Sequence, residues 1–198
     1  MNPPRLGIIG SGEGTNFSAI AAAIARGELA ATIAIVISDV PGSGILTKAR
    51  ALGLPAHFLD PGPWKTRLDD SAQQQLANEL LAARTDLVIC AGFMRRLKEP
   101  VLRVFPRRIV NVHPSLLPQF AGCDAIGMAL DAGVSETGCT VHLVNEDIDS
   151  GEVLAQSRVP VLPGDTRATL LARVHEAEHA LYPRAIGEYA LRYSSAAR

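Results

Sequence analysis

The chain has 198 residues, 47% of them hydrophobic and 20% charged, with a net charge of −1. That length is most simply one domain, large enough to bury about 70% of the surface of its unfolded chain. The balanced charge, with no basic run, excludes a general nucleic-acid footprint, and no apolar stretch is long enough for a membrane-spanning helix or a secretory leader.

Leu6–Ile9 reads as the first strand. It runs into Gly10-Ser11-Gly12-Glu13-Gly14-Thr15-Asn16 and then an alanine-rich helix near 16–27. Glycines let the backbone approach a ligand, and a helix start presents free N–H groups, so a phosphate is the natural guest. The loop lacks the Lys-Ser/Thr ending of a Walker A motif. It nearly matches a dinucleotide fingerprint, with Asp39 as the ribose-binding acid, but Thr15 stands where a third Gly or Ala belongs. The plain alternative is a tight strand-to-helix turn with no ligand.

Thr32–Ser38 is apolar on both faces, as a sheet covered by helices on both sides requires. Helical stretches near 43–52 and 66–84 alternate with strands at Ala56–Leu59 and Asp86–Ala91. A strand at Arg108–His113, a helix near 125–132 and a strand at Cys139–Val144 follow. This alternation predicts an α/β fold with a doubly wound, mostly parallel sheet. From Asp165 to about Arg192 the pattern is helical, with Asp165 or Thr166 as N-cap and Pro183 expected to kink or split the helix. No linker interrupts residues 1–198, so a single domain is expected.

Candidate chemistry concentrates in Asn111-Val112-His113-Pro114-Ser115-Leu116-Leu117-Pro118. Strand side chains alternate, so Asn111 and His113 point the same way at a strand's carboxyl end, where α/β folds place their ligands. An amide and an imidazole side by side suit a reaction whose carbonyl oxygen becomes an oxyanion. The alternative is a turn-capping Asn and a structural His. The acidic loop Asn145-Glu146-Asp147-Ile148-Asp149-Ser150-Gly151 is a solvated turn or the source of a carboxylate for His113; an EF-hand is ruled out because Arg158 stands where the bidentate Glu is needed. His175-Glu176-Ala177-Glu178-His179 matches HExxH, but no later histidine follows it and Pro183 comes soon after, so a chance match on a charged helix is the preferred reading. The three cysteines, Cys90, Cys123 and Cys139, lack CxxC spacing and read as reduced thiols of a cytoplasmic protein.

Taken together, these motifs resemble the phosphoribosylglycinamide formyltransferases, folate-dependent enzymes of purine synthesis. The resemblance runs from about Leu6 to Tyr189. It is strongest in the Asn111–Pro118 string, in Ala91-Gly92-Phe93-Met94-Arg95, and in Gly138-Cys139-Thr140-Val141-His142 leading to Asp149-Ser150-Gly151. It implies a Rossmann-like formyltransferase fold, with a phosphate-binding half at about 1–100 and a folate-binding and catalytic half at about 101–198. It also implies 10-formyltetrahydrofolate as co-substrate, glycinamide ribonucleotide as acceptor and no metal. Asn111, His113 and Asp149 match the catalytic trio, which would stabilise a tetrahedral oxyanion and move protons from the attacking amine. Gly14, Thr15 and Asn16 match the phosphate loop, and Arg67 and Glu178 match contacts to the ribonucleotide. Met94, Arg95, Leu97 and Leu102 match the folate cleft, with the backbone of Asn145, Glu146, Asp147 and Ile148 around the pterin. Glu178 thereby gains a role that needs no zinc.

One departure stands out. The family usually has a histidine where Ile126 stands and a polar or charged residue where Gly127 stands, which bears on substrate positioning. Among relatives, methionyl-tRNA formyltransferase carries an additional tRNA-binding domain and formyltetrahydrofolate hydrolase an N-terminal regulatory domain; neither is expected here. A nucleotide- or folate-binding module without turnover, or an oxidoreductase using the glycine loop, are the readings from other classes. Partners are expected to be small molecules, without nucleic acid or membrane, and the oligomeric state is left open.

Overall fold

The computed structural model describes residues 3–196, with side chains to 193. In chain order the elements are β1 (Arg5–Ile9), α1 (Thr15–Ala25), β2 (Thr32–Ser38), α2 (Gly44–Ala51), β3 (Ala56–Phe58), α3 (Asp70–Ala82), β4 (Leu87–Cys90), α4 (Val101–Val104), β5 (Ile109–His113), α5 (Ala125–Asp131), β6 (Glu136–Leu143), β7 (Val153–Pro160) and α6 (Arg167–Ala196). The strands form one sheet in the order β3-β2-β1-β4-β5-β6-β7. The first five in that order are parallel; β6 and β7 are antiparallel additions. Winding reverses between β1 and β4, and a crevice opens beyond the carboxyl ends of strands at such a point.

The strands alternate between two cores. Leu6, Ile8, Val36, Ile89, Val110 and Val112 pack with Phe17 and Ile20 of α1 and Tyr182 and Ile186 of α6. Ile9, Ile35, Ile37, Val88 and Ile109 face the other way, onto Leu76 and Leu80 of α3 and Val101 and Phe105 around α4. Each such side chain contributes roughly 1.5–3 kcal/mol when fully buried. Both faces being covered explains why the central strands are apolar without interruption.

Three expectations change. The helix expected near 66–84 begins only at Asp70, because the Asp69 carboxylate accepts from Ala72 N (2.8 Å) and caps it, leaving 61–68 as loop. Strand β7 was missed: its inward residues Ala155, Ser157 and Val159 include only one bulky apolar side chain, so the alternation is faint. Pro183 does not split the last helix, which runs through it. Its neighbours Leu181, Tyr182, Ala185 and Ile186 are all buried, and this packing outweighs the one lost backbone bond. At the start of that helix, Thr166 Oγ1 accepts from Thr169 N while Thr169 Oγ1 accepts from Thr166 N, so Thr166 serves as the N-cap.

Tyr182 joins the helix to the sheet. Its hydroxyl reaches Cys90 O (3.0 Å) and Val110 O (2.9 Å), bridging the last residue of β4 and the second residue of β5. Tyr182→Phe is expected to cost about 1–2 kcal/mol. The readout is a lower urea midpoint at unchanged slope; an unchanged midpoint would show that the hydroxyl adds nothing.

Candidate active site

Strand β5 delivers Asn111 and His113 to the carboxyl end of the sheet, as their alternation predicts. The antiparallel partner β6 places His142 opposite Asn111 and Thr140 opposite His113. After β6 the chain loops through 145–150 and returns at Gly151. A Cβ at Gly151 would lie 1.8 Å from Leu143 O, so only glycine fits this return. Asp149 has a left-handed backbone (φ 51°), which turns its carboxylate back toward β5.

The four side chains form one connected cluster. His113 Nδ1 lies 3.3 Å from Asp149 Oδ2, and His142 Nε2 lies 3.5 Å from Asp149 Oδ1. Asn111 Nδ2 is 3.2 Å from His142 Nε2. The loop after β5 folds over them: Gly122 N donates to Asp149 Oδ2 (3.0 Å), and Phe120 O sits 2.9 Å from His113 Nε2. Both ring nitrogens of His113 thus face oxygens that only accept. The Asp149 side chain is 12% exposed. Burial, the largest single influence, pushes its carboxyl up. The His142 hydrogen bond, the His113 charge and the Gly122 N–H together outweigh this and hold it below its ordinary value.

On the other side of β4 lies the glycine loop. Gly14 is the N-cap of α1 and has φ 72°, a conformation that costs glycine little. The first N–H groups of α1 have no partner within the helix. Asn16, in its first turn, donates from Nδ2 to Glu178 Oε2 (2.8 Å). Glu178 is 3% exposed; burial raises its carboxyl pKa, with the Asn16 bond and the His175 charge opposing. Residues far apart in sequence, Asn16 and Glu178, are therefore neighbours. Arg67 lies in the 61–68 loop, stacked over Trp64 (4.4 Å to the ring centroid) and bridged to Arg96 by backbone.

Of the folate-cleft candidates, Met94 is strongly exposed and its N–H donates to Ser11 Oγ (2.9 Å). Leu97 is buried and Leu102 packs beside it. A cavity of about 310 Å³ opens between Leu102 and the Val144–Glu146 segment. Arg96 donates to Glu146 O and ties that loop to the end of β4. Asn145 anchors the turn by accepting from Asp147 N (3.1 Å), and Ile148 is exposed on its outside. The Arg95 side chain pairs with the buried Asp39 and donates to Trp64 O. The pairing engages Asp39 Oδ2 and leaves its buried Oδ1 without a partner, and a carboxylate held in this ion pair is a poor match for the free ribose-binding acid of the dinucleotide reading.

Ile126 belongs to the core, 7% exposed and packed in the α1–α6 cluster. Its departure from the family's histidine thus serves packing rather than the cluster around Asp149. At Gly127 a Cβ would meet the Arg167 guanidinium at 2.3 Å, so the missing side chain leaves room for the Arg167–Asp124 ion pair. His175 and His179 stack at 6.1 Å, and among the described residues no three His, Cys, Asp or Glu side chains are grouped to hold a metal. Burial pushes the Cys90 and Cys139 thiols up to about 12, as inert thiols would be.

His142, Phe120, Gly122 and Trp64 were not foreseen as participants. His142 carried a signal, an imidazole inside a strand, but its meaning depends on the β5–β6 register. No helix among the described residues is long and apolar enough to cross a membrane.

Comparison with known proteins bears on these features together. Residues 5–186 match the family model described as formyl transferase. The chain is 33% identical to phosphoribosylglycinamide formyltransferase of Bacillus subtilis over 182 residues, which cover 92% of each. It is 40% identical over 185 residues to the trifunctional purine biosynthetic protein adenosine-3 of Drosophila melanogaster, of whose length it spans only 14%. Glycinamide ribonucleotide transformylase 1 from Symbiobacterium toebii superposes with a TM-score of 0.91 at 42% identity, covering 96% of this chain and 88% of that one.

Because the Asp149 pKa is lowered on folding, its ionised form stabilises the native state. That contribution is complete above the unfolded value of about 3.9 and is lost as pH falls through the lower folded value. The stability advantage of the wild type over Asp149→Asn should therefore shrink below about pH 4. Urea midpoints across pH 3 to 7 read this; a constant difference down to pH 3 would contradict it.

Proposed function

The chain belongs to the formyl transferase family, and we propose that Asn111, His113 and Asp149 carry the transfer within it. The reaction moves a formyl group from 10-formyltetrahydrofolate to the amine of glycinamide ribonucleotide, in purine biosynthesis. The observation that carries the residue assignment is the Asp149 carboxylate set 3.3 Å from His113 Nδ1 at the carboxyl end of β5.

The co-substrate supplies an electrophilic one-carbon unit. Phe120 O, 2.9 Å from His113 Nε2, marks where an accepting oxygen sits; the formyl oxygen takes that place when the loop yields it. His113, paired with Asp149, donates there to the negative charge that develops, and an Asn111 N–H is the second donor. Asp149 stays ionised at neutral pH, supports the His113 ring and moves the proton released by the attacking amine, directly or through water, to the folate nitrogen that departs as its bond to the formyl carbon breaks.

Gly14, Thr15 and Asn16 at the start of α1 hold the substrate phosphate. Glu178, kept beside Asn16, and Arg67 contact the ribonucleotide. The cavity between Leu102 and the Val144–Glu146 segment takes part of the folate, with Met94, Arg95 and Leu97 beyond the end of β4 and the backbone of the Asn145–Ile148 loop beside it. Its volume of about 310 Å³ lies within the range of small-ligand pockets. Residues 1–198 act as a single formyltransferase domain, in the cytoplasm, on small molecules.

His113→Ala and Asp149→Ala should each lower kcat by at least about 100-fold, while thermal unfolding followed by circular dichroism stays cooperative. The assay follows folate absorbance with both substrates and with an amine-free control. Near-normal turnover in either variant would remove it from the catalytic trio. Turnover without the amine would make the chain a hydrolase, and binding without turnover a non-catalytic module.

A further inference from the structure

We infer that Gln73 is a positioning residue whose buried amide clamps the Arg96–Lys98 backbone and thereby holds both walls of the folate cavity in place; this rests on that cavity taking folate. α3 turns Ala72, Leu76, Ala77 and Leu80 to the core, and among them Gln73 is 1% exposed. A primary amide withdrawn from water is costly unless both of its ends are hydrogen-bonded. Both ends are, and to one short segment: Nε2 donates to Arg96 O (3.1 Å), and Oε1 accepts from Lys98 N (3.2 Å). These partners fix the orientation of the amide, because a carbonyl only accepts and a backbone N–H only donates.

The clamp extends a pairing that the backbone begins. Arg96 N donates to Thr66 O (2.9 Å), and Arg67 and Arg96 form a parallel bridge. In a parallel pair, the N–H and C=O of one residue bond to the C=O before and the N–H after the residue opposite. From Asp70 the chain is helical and offers no further strand, yet the Gln73 amide makes those same two bonds around Leu97. Leu97 is held in the core between them, 4% exposed, in the cluster of Leu68, Ala72 and Leu76. Both walls of the cavity hang from this segment. The Arg96 side chain donates to Glu146 O, and Lys98 O accepts from Leu102 N (3.2 Å). Glu146 and Leu102 line the cavity of about 310 Å³. Loss of the clamp lets residues 96–98 sample other positions, and the two walls move with them. Apparent affinity then falls with the fraction of molecules whose walls are in place. The proposed ribonucleotide contacts lie elsewhere, at the start of α1 and at Glu178, and Arg67 keeps its own stack on Trp64.

Gln73→Met keeps the length of the side chain and removes both bonds. It should raise KM for 10-formyltetrahydrofolate by roughly 10-fold, as if one molecule in about ten kept its walls in place. KM for glycinamide ribonucleotide and kcat should each change by less than about threefold, the pattern of lost ground-state binding. Hydrogen exchange supplies a local readout. The Lys98 amide of the ligand-free variant should exchange at least about 10-fold faster than in the wild type, while the Leu80 amide within α3 keeps its rate. If Gln73→Met does not fold, Gln73→Asn, polar but one methylene too short to span both partners, takes its place. An unchanged folate KM, equal rises in both KM values, a loss confined to kcat, or an unchanged Lys98 exchange rate would each overturn the inference. Leu102→Trp, which fills the cavity, tests the reading beneath it. If that variant leaves the folate KM unchanged, folate does not occupy the cavity and the inference falls with that reading. If Leu102→Trp raises the folate KM and Gln73→Met does not, the clamp alone is overturned.

Discussion

A carboxylate withdrawn from water is the constraint around which this site is arranged. Asp149 can remain ionised at 12% exposure only if other groups replace the water it has lost. Those groups come from three places: His113 from β5, His142 from β6, and the Gly122 N–H from the loop over β5. Each requirement propagates outward. The antiparallel register sets the two histidines on one side, Gly151 allows the loop to return against Leu143, and the left-handed backbone of Asp149 aims the carboxylate inward.

A second buried carboxyl, Glu178, has the opposite character. It has one amide donor, Asn16, and burial outweighs it, so its pKa is raised above the usual carboxyl value. The two acids are therefore shifted in opposite directions by their neighbours, and they flank the crevice from opposite sides of β4. A depressed carboxyl suits charge support, whereas a raised one suits hydrogen bonding to polar parts of a substrate. Tyr182, four residues beyond Glu178, bonds to Cys90 at the end of β4 and to Val110 within β5, and keeps α6 in register with both strands.

The sheet was legible in the sequence because its signals are strong and local. Thr32–Ser38, Ile109–His113 and the glycine loop each state their conformation within a few residues, and the placement of Asn111 and His113 at a strand end follows from proline stopping the ladder. The errors fall where long-range packing competes with local preference. Pro183 favours a break, yet the buried residues on both sides hold the helix. Strand β7 is half exposed and weakly apolar, so its conformation comes from pairing with β6 rather than from its own pattern. Ile126 looked like a change at the site because it is near the strand of Asn111 and His113 in sequence; in space it faces the core.

By itself the sequence determined the α/β class, the strand that carries Asn111 and His113, the phosphate-ready start of α1 and the resemblance that named the reaction. These depend on periodicity, turn chemistry and short strings, which are local properties of the chain. Only the tertiary structure decided that Asp149 meets His113, that Asn16 meets Glu178, that Asp39 is spent on Arg95, and that His142 stands against Asn111. Each of these contacts joins separate elements, and Asn16 and Glu178 are 162 residues apart. A side chain's alternation along its own strand says which way it points; the register and crossover of neighbouring strands decide what it meets there.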